Sequence, residues 1–196
     1  MSDDLALETR TGLPPDLRAL VERYPRETWD GHANLGAAAR FWLDRHGMFR
    51  ELGGTLTDAL AARREAVETG DGGDAPPFVR FFAPRLQFFL QQLDAHHHVE
   101  DHHYFPVFRA AERTLARGFD LLDGDHHVIH DAIERNAASA NALLRALGRE
   151  NERSASQRHA EETATMLRLL LRHLDDEEDL IVPIILDRTE VALGIA

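Results

Sequence analysis

The sequence contains no cysteine among its 196 residues. This excludes disulfides, thiolate metal sites and cysteine nucleophiles, and it leaves nitrogen and oxygen ligands for any metal. The chain also lacks an excess of positive charge, since 22 basic residues stand against 34 acidic ones and the formal net charge is -12. Because phosphate binding needs clustered basic side chains, this composition argues against a nucleic-acid surface.

Long hydrophobic runs are absent too. No stretch of the sequence approaches the roughly 18 apolar residues that a membrane span needs. The first residues, MSDDLALETR, are acidic where a signal peptide is basic and then apolar. We therefore expect a cytoplasmic protein with no membrane partner. A chain of 196 residues is long enough for one domain with a sizeable core.

Four long intervals between Pro and Gly positions are rich in Leu, Ala, Arg and Glu, and they lack the alternation typical of strands. We predict one helix in each, at residues 31–69, 84–115, 124–147 and 154–187. Pro84 suits the first turn of the second helix, and Gly148 suits the position after the third. Residues 1–30 are predicted to form an N-terminal arm with one short amphipathic helix at 15–24.

Steps of three and four residues trace one inward face on each predicted helix. On the fourth helix this face runs through Met166, Leu170, His173, Glu177 and Leu180. Polar residues interrupt the apolar faces at matching depth in several helices. Four such helices with short connections predict an all-α fold, an up-down-up-down four-helix bundle over residues 31–190.

Twelve histidines are the most unusual feature of the composition. Two of them belong to a repeated template, His96-x3-Glu100 and His173-x3-Glu177, each followed by an acid and later by a proline at the same spacing. A separation of four residues places imidazole and carboxylate on one side of a helix, roughly 6 Å apart along its axis. This is a chelating geometry. A metal ion also removes the cost of a carboxylate on a buried face.

The third helix adds the pair His126 and His130, with His127 as an alternative to His126, and the first helix adds His46. The neighbours of His96, including His97, are expected outside the metal's own ligands because they fan around the helix. Imidazole suits iron, and a carboxylate can bridge two ions, so five histidines and two glutamates fit a pair of irons with an oxo or hydroxo bridge. About one coordination position then stays open, by octahedral counting on both ions.

At these residues the sequence resembles the hemerythrin-like, or HHE cation-binding, family. The resemblance extends from about residue 32 to 185. It rests on Asp44-x-His46 with Phe49-Arg50, His96-His97-x-x-Glu100-Asp101 running into Phe105-Pro106, Asp125-His126 with His130, and His173-x3-Glu177 running into Pro183. It implies a two-iron site with bridging glutamates, held by His46, His96, Glu100, His126, His130, His173 and Glu177. Because the family's oxygen carriers place the last carboxylate five residues after the histidine, Glu178 is the alternative to Glu177.

The leading hypothesis is a non-haem di-iron protein that binds O2 or a related small molecule, such as NO or peroxide, for sensing, storage or stress protection. Whether it is an enzyme stays open, with gas binding favoured over catalysis. One alternative is an iron donor of the iron-sulfur-repair type, since such relatives share the pattern. Another is a ferritin-like di-iron oxidase, whose sites carry Glu-x-x-His on two helices, whereas here only Glu100-x-x-His103 matches. The sequence identifies no protein partner.

Overall fold

The computed structural model describes residues 5–70 and 75–196, which fold as helices, turns and loops with no β-strand among them. The helices are α1 (Ala19–Arg23), α2 (Ala37–Glu68), α3 (Ala75–Val99), α4 (Phe105–Ala111), α5 (Ala116–Ala146), α6 (Glu152–Arg188) and α7 (Glu190–Leu193). A π-helical turn, Glu100–Tyr104, connects α3 to α4. The predicted all-α class is confirmed, and the up-down-up-down order stays a prediction. None of the described helices has a stretch both long and apolar enough to span a membrane.

The start of α3 differs from the prediction. The helix begins at Ala75, and Pro84, which was expected in its first turn, lies inside it. Pro76 and Pro77 occupy the first turn instead. Backbone N–H groups there have no acceptor within the helix, so the missing N–H of proline costs little at these positions. The sequence interpretation placed the right residue type in the first turn but chose a later proline.

The start of α5 also differs, because the helix begins at Ala116 rather than near residue 124. Gly118 does not break the helix. A Cβ atom on Gly118 would lie 2.8 Å from the Cδ atoms of Leu180, so glycine allows this side chain of α6 to approach the α5 backbone closely. At the other end the prediction is confirmed, since Gly148 follows α5 with a φ of 72°, a conformation that glycine adopts without strain.

The described chain forms two compact units, and each of the long helices α2, α3, α5 and α6 contributes residues to both. The first unit comprises residues 5–48, 96–128 and 169–196. Its core includes Phe105, Phe108 and Phe119 together with a run of buried residues on α6. Leu17 and Trp29 of the N-terminal arm belong to the same core. The predicted short helix of the arm is present as a 3-10 turn, Pro15–Leu17, followed by α1.

The second unit comprises residues 49–95 and 129–168, apart from 71–74. Phe49 and Phe89 pack edge to face in its core, with ring centroids 5.9 Å apart. Two of its buried groups are polar and paired: the Ser139 hydroxyl lies 2.8 Å from Nδ1 of His159. This unit is therefore held by apolar packing and by buried polar pairs, which also include Arg63 with Glu152 at 2.7 Å. The candidate site described next lies wholly in the first unit.

Candidate metal centre

Four side chains in the first unit converge to form what we name cluster A: His46, His96, Glu100 and Glu177. They come from α2, the end of α3, the π-helical turn and α6. One potential ligand atom from each lies within 4.8 Å of all the others. The Nε2 atoms of His46 and His96 are 3.1 Å apart, and Nε2 of His96 lies 3.0 Å from Oε1 of Glu100. Nitrogen and oxygen atoms therefore face a common point.

Three further histidines form cluster B: His97, His126 and His173, all of them buried. The Nε2 atoms of His126 and His173 are 3.1 Å apart. The ring of His97 stacks on that of His126 with centroids 4.0 Å apart, and it meets the ring of His173 edge to face at 5.4 Å. Three imidazoles thus surround a second point.

Glu177 of cluster A also faces cluster B. Its Oε2 atom is 3.4 Å from Nε2 of His46 in cluster A and 3.4 Å from Nε2 of His173 in cluster B. The side chain is fully buried. A carboxylate equally distant from imidazoles of both clusters has the position of a bridging ligand.

Glu100, in the π-helical turn after α3, has a similar position. Its Oε1 atom is 3.0 Å from Nε2 of His96, and its Oε2 atom is 3.7 Å from Nε2 of His126. The indole N–H of Trp42 donates a hydrogen bond to Oε1 over 2.8 Å, which fixes the rotation of the carboxylate. The two glutamates of the repeated His-x3-Glu template therefore both reach toward both clusters.

Unpaired buried atoms test whether these residues suit a metal. Nε2 of His97, Oε2 of Glu100 and both carboxylate oxygens of Glu177 are buried and have no hydrogen-bond partner among the described residues. A buried polar atom without a partner costs free energy, so native proteins rarely keep one without a reason. Coordination to a metal ion would supply the missing partner to all four atoms. Imidazole nitrogen with carboxylate oxygen suits iron and neighbouring transition metals.

The protonation states of these groups also suit a metal site. Burial raises the pKa of Glu177 to about 8, and burial followed by the facing Glu177 raises the pKa of Glu100 well above its ordinary value. Burial lowers the pKa of His126 to about 4, and it lowers the pKa of His96 and His97 well below the ordinary value. The imidazoles are therefore neutral near pH 7, with a lone pair available. The carboxylates need a positive partner in order to ionise.

A second ring of carboxylates orients three of the histidines. In each pair the Nδ1–H of the imidazole faces a carboxylate oxygen, which leaves the lone pair on Nε2 pointing at the cluster. The pairs are His46 with Glu178 at 2.9 Å, His126 with Asp101 at 2.8 Å and His173 with Asp125 at 3.4 Å. Such partners fix the tautomer and the direction of a metal-binding imidazole.

Six of the seven predicted ligands lie in the clusters: His46, His96, Glu100, His126, His173 and Glu177. The structure does not bring His130 to either cluster. Its side chain is 55% exposed, and its nitrogens lie nearest Asp94 at 3.3 Å and Glu134 at 3.6 Å. The spacing of four residues from His126 suggested a shared face, but Ile129 and Ile133 occupy the buried face at this level of α5.

His97 is in cluster B although the sequence argument placed it outside the ligand set. On a regular helix, a single face would carry all the ligands from α3. Here the neighbours His96 and His97 point to different clusters, and the π-helical turn begins just after them, at Glu100. π-helical turns are frequent at functional sites. Pro106 is the only hint in the sequence, because a proline weakens regular hydrogen bonding one turn before it.

The two open alternatives are also placed by the structure. His127 is exposed, with its Nδ1 atom 2.8 Å from the carbonyl oxygen of Asp123, whereas His126 lies in cluster B. Glu177 lies in cluster A, whereas Glu178 bonds to the outer nitrogen of a cluster A histidine. The residues nearest the cluster centres are thus the ones first chosen.

Buried histidines and carboxylates converging from several helices place this chain in the class of helical metal-binding proteins. Its residues 37–185 match the model of the hemerythrin HHE cation-binding domain. The chain belongs to this family, and the resemblance drawn from the motifs is confirmed. No curated protein and no solved structure matches the chain. The family match identifies a cation-binding domain, and residues 5–36 of the first unit lie outside it.

Proposed function

We propose that clusters A and B hold two iron ions, and that the loaded protein binds O2 or a related small molecule such as NO or peroxide. The proposed role is sensing, storage or stress protection, as the motifs suggested. The proposed ligands are His46 and His96 on one ion, with His97, His126 and His173 on the other. The set keeps five histidines and two glutamates, with His97 in place of His130.

The position of Glu177 carries this proposal. The Oε2 atom of Glu177 lies 3.4 Å from an imidazole of each cluster. This position suits a carboxylate that bridges two ions better than one that binds a single ion. Glu100 supports the same reading, since its two oxygens approach different clusters. If Glu100 and Glu177 each bridged the two ions, both ions would lie close enough to act on one small ligand.

Counting ligands locates the open coordination position. Cluster A offers two histidines and cluster B offers three, while both glutamates are available to each. With one further shared ligand derived from solvent, octahedral counting leaves about one position open, on the ion of cluster A. A diatomic molecule is therefore expected to bind beside His46 and His96.

Three aromatic rings form a stack beside cluster A. The ring of Trp42 meets that of His46 at a centroid distance of 5.4 Å, and it stacks with Tyr104 at 6.3 Å and Phe108 at 6.1 Å. An apolar wall limits the access of water and lowers the local dielectric, which slows hydrolytic loss of a bound small molecule. The indole N–H already donates to Glu100, so Trp42 contributes its shape to this wall rather than a hydrogen bond.

The ferritin-like alternative gains no support from the site. Its single sequence match required His103 to join Glu100, but His103 is exposed. No specific contact favours an iron-donor role either. Gas binding is therefore the single function proposed.

Elemental analysis of the purified full chain, combined with its visible absorption spectrum, tests the proposal. We expect about two irons per chain, by the ligand count above, and a charge-transfer band that changes when the reduced protein meets O2 or NO. Zinc, or no metal, after expression with ample iron would overturn the iron assignment. Iron without any spectral response to either gas would overturn gas binding alone.

A matched pair of variants on α6 sharpens the test. Glu177→Gln removes one proposed bridge, so metal content should fall, because an amide is a weaker ligand and carries no charge. Glu161→Gln changes an exposed glutamate of the same helix and should leave metal content unchanged. Equal iron content in both variants would contradict the bridging role of Glu177.

A further inference from the structure

The N-terminal arm, residues 5–30, sends a buried arginine toward cluster B. Arg10 is only 6% exposed, and its guanidinium contacts two carboxylates. Nη2 lies 2.5 Å from Oδ2 of Asp125, and Nε lies 2.7 Å from Oδ2 of Asp176. The same Oδ2 atom of Asp125 faces Nδ1 of His173 at 3.4 Å. An unbroken path of polar contacts therefore links the arm to a cluster B histidine.

A second arginine of the arm does the same for cluster A. Nη1 of Arg26 donates to Oε2 of Glu178 over 2.7 Å, while the other oxygen of Glu178 faces Nδ1 of His46 at 2.9 Å. Arg26 is held in place by two more bonds, from Nε to Asp179 at 2.6 Å and from Nη2 to the carbonyl oxygen of Asp175 at 2.7 Å. All three guanidinium nitrogens are thus committed to one turn of α6.

The two paths have the same order: arginine, carboxylate, imidazole, cluster. Each cluster receives one path, and both arginines lie before residue 37, where the family match begins. A planar guanidinium fixes a carboxylate with two directed donors, which a flexible ammonium does not do. The carboxylate in turn fixes the direction of the imidazole and its lone pair.

We propose that the N-terminal arm is a working part of the metal centre, and that Arg10 and Arg26 are positioning residues for His173 and His46. The inference rests on the proposed function only in requiring that the clusters hold iron. The two arginines orient one histidine for each ion through Asp125 and Glu178. Their positive charges also act on the ions, since a nearby cation disfavours the higher metal charge.

Two consequences can be measured. Loss of a positioning partner typically weakens metal binding roughly ten- to a hundredfold. Loss of the cation should also shift the midpoint potential of the iron pair to lower values, because the oxidised ions are no longer opposed by it. Lysine in place of arginine keeps the charge but not the two directed donors. It should therefore restore the potential while recovering only part of the affinity.

The experiment uses the full chain loaded with iron and the variants Arg26→Gln, Arg26→Lys and Arg10→Lys. The side chain of Arg26 is 40% exposed against 2% for Arg10, so its substitution disturbs less buried packing, and lysine keeps the charge at the buried position of Arg10. Arg23→Gln is the matched control, because Arg23 also joins the arm to α6, through Asp187 at 3.0 Å, a carboxylate with no histidine partner in the clusters. The readouts are the rate of iron loss to a chelator and the midpoint potential.

We expect Arg26→Gln to lose iron roughly tenfold faster than the control and at a lower potential. Arg26→Lys should match the potential of the wild type but not its iron retention, and Arg10→Lys should behave likewise. If all three variants match Arg23→Gln in both readouts while the wild type holds iron, the inference is overturned and the proposed function stands. If the wild type holds no metal, both are overturned.

Discussion

His97→Ala compared with His130→Ala tests the structural ligand set against the one read from the sequence. His97 is buried and stacked on His126, with an Nε2 atom that has no hydrogen-bond partner within residues 5–70 and 75–196. His130 has a side chain that is 55% exposed. If His97 is a ligand, its removal should weaken metal binding while removing no hydrogen bond made by Nε2 in the metal-free protein. Removal of His130 should leave metal binding unchanged.

The expected size follows from linkage between binding and folding. A hundredfold loss of affinity removes about 2.7 kcal/mol of metal-dependent stability when the free metal stays well above the dissociation constants of both the wild type and the variant. In a chain of this length each kcal/mol corresponds to about 2–4 °C in Tm, so the gain in Tm on adding metal should shrink by about 5–11 °C. For an exposed histidine the change should stay within about 0.5 kcal/mol, or roughly 2 °C.

The assay is differential scanning fluorimetry with and without iron, alongside iron content per chain. Using the difference between the two Tm values cancels the packing loss that His97→Ala causes in the metal-free protein. The reasoning would be refuted if His130→Ala lost the metal-dependent gain in Tm and His97→Ala kept it. That result would restore the ligand set predicted from the sequence.

Two further predictions concern stability. Between pH 6.5 and 8 the metal-free folded chain keeps a proton on Glu177, whose pKa is about 8, and the unfolded chain does not, so stability should fall as pH rises. His126, with a pKa of about 4 against an ordinary value of 6.5, affects stability in the opposite sense, and only below this pH range. Urea midpoints measured between pH 6.5 and 8 should show the fall in stability, and Glu177→Gln should make that fall smaller. Gly118→Ala should lower Tm by crowding Leu180, at a cost of about 1–3 kcal/mol. Gly124→Ala on the same helix meets nothing within 4 Å and should raise Tm, so equal Tm values for the two variants would contradict the close approach at Gly118.

The inward face of α6 is the feature of the fold that the helical periodicity of the sequence predicted best. Met166, Leu170, His173, Glu177 and Leu180 are all buried, as steps of three and four residues required. The helix is regular there, so a constant angle per residue stays in register over several turns. The depth of the candidate site and the contribution of α6 were therefore accessible from the sequence.

The same counting lost register on α3. Steps of three and four residues from Glu100 lead to His103, but His103 is exposed, and Phe105 and Phe108 are buried instead. The π-helical turn adds a residue to the repeat, which no fixed angle anticipates. Pro106 was visible in the sequence but did not determine this, since the equivalent Pro183 lies inside α6, which remains α-helical.

The arm gave little signal of its importance for a different reason. Arg10 and Arg26 have neither helical spacing nor a local motif, and their partners lie more than a hundred residues away in the chain. Contacts of that separation depend on the completed fold. The proximity of these arginines to the candidate ligands is therefore visible only in the folded structure.

The N-terminal arm lies outside the span that matches the family model but inside the core of the first unit. A segment cut at residues 37–185 would keep every candidate ligand and would still be recognised as the family's domain. It would leave Asp125, which is 3% exposed, without the guanidinium that neutralises it, and it would open the core where Leu17 and Trp29 pack. The span that matches the family model is therefore shorter than the set of residues that completes this core and pairs with Asp125. Transplanting residues 37–185 alone into another chain would require that chain to supply its own cations behind the histidines.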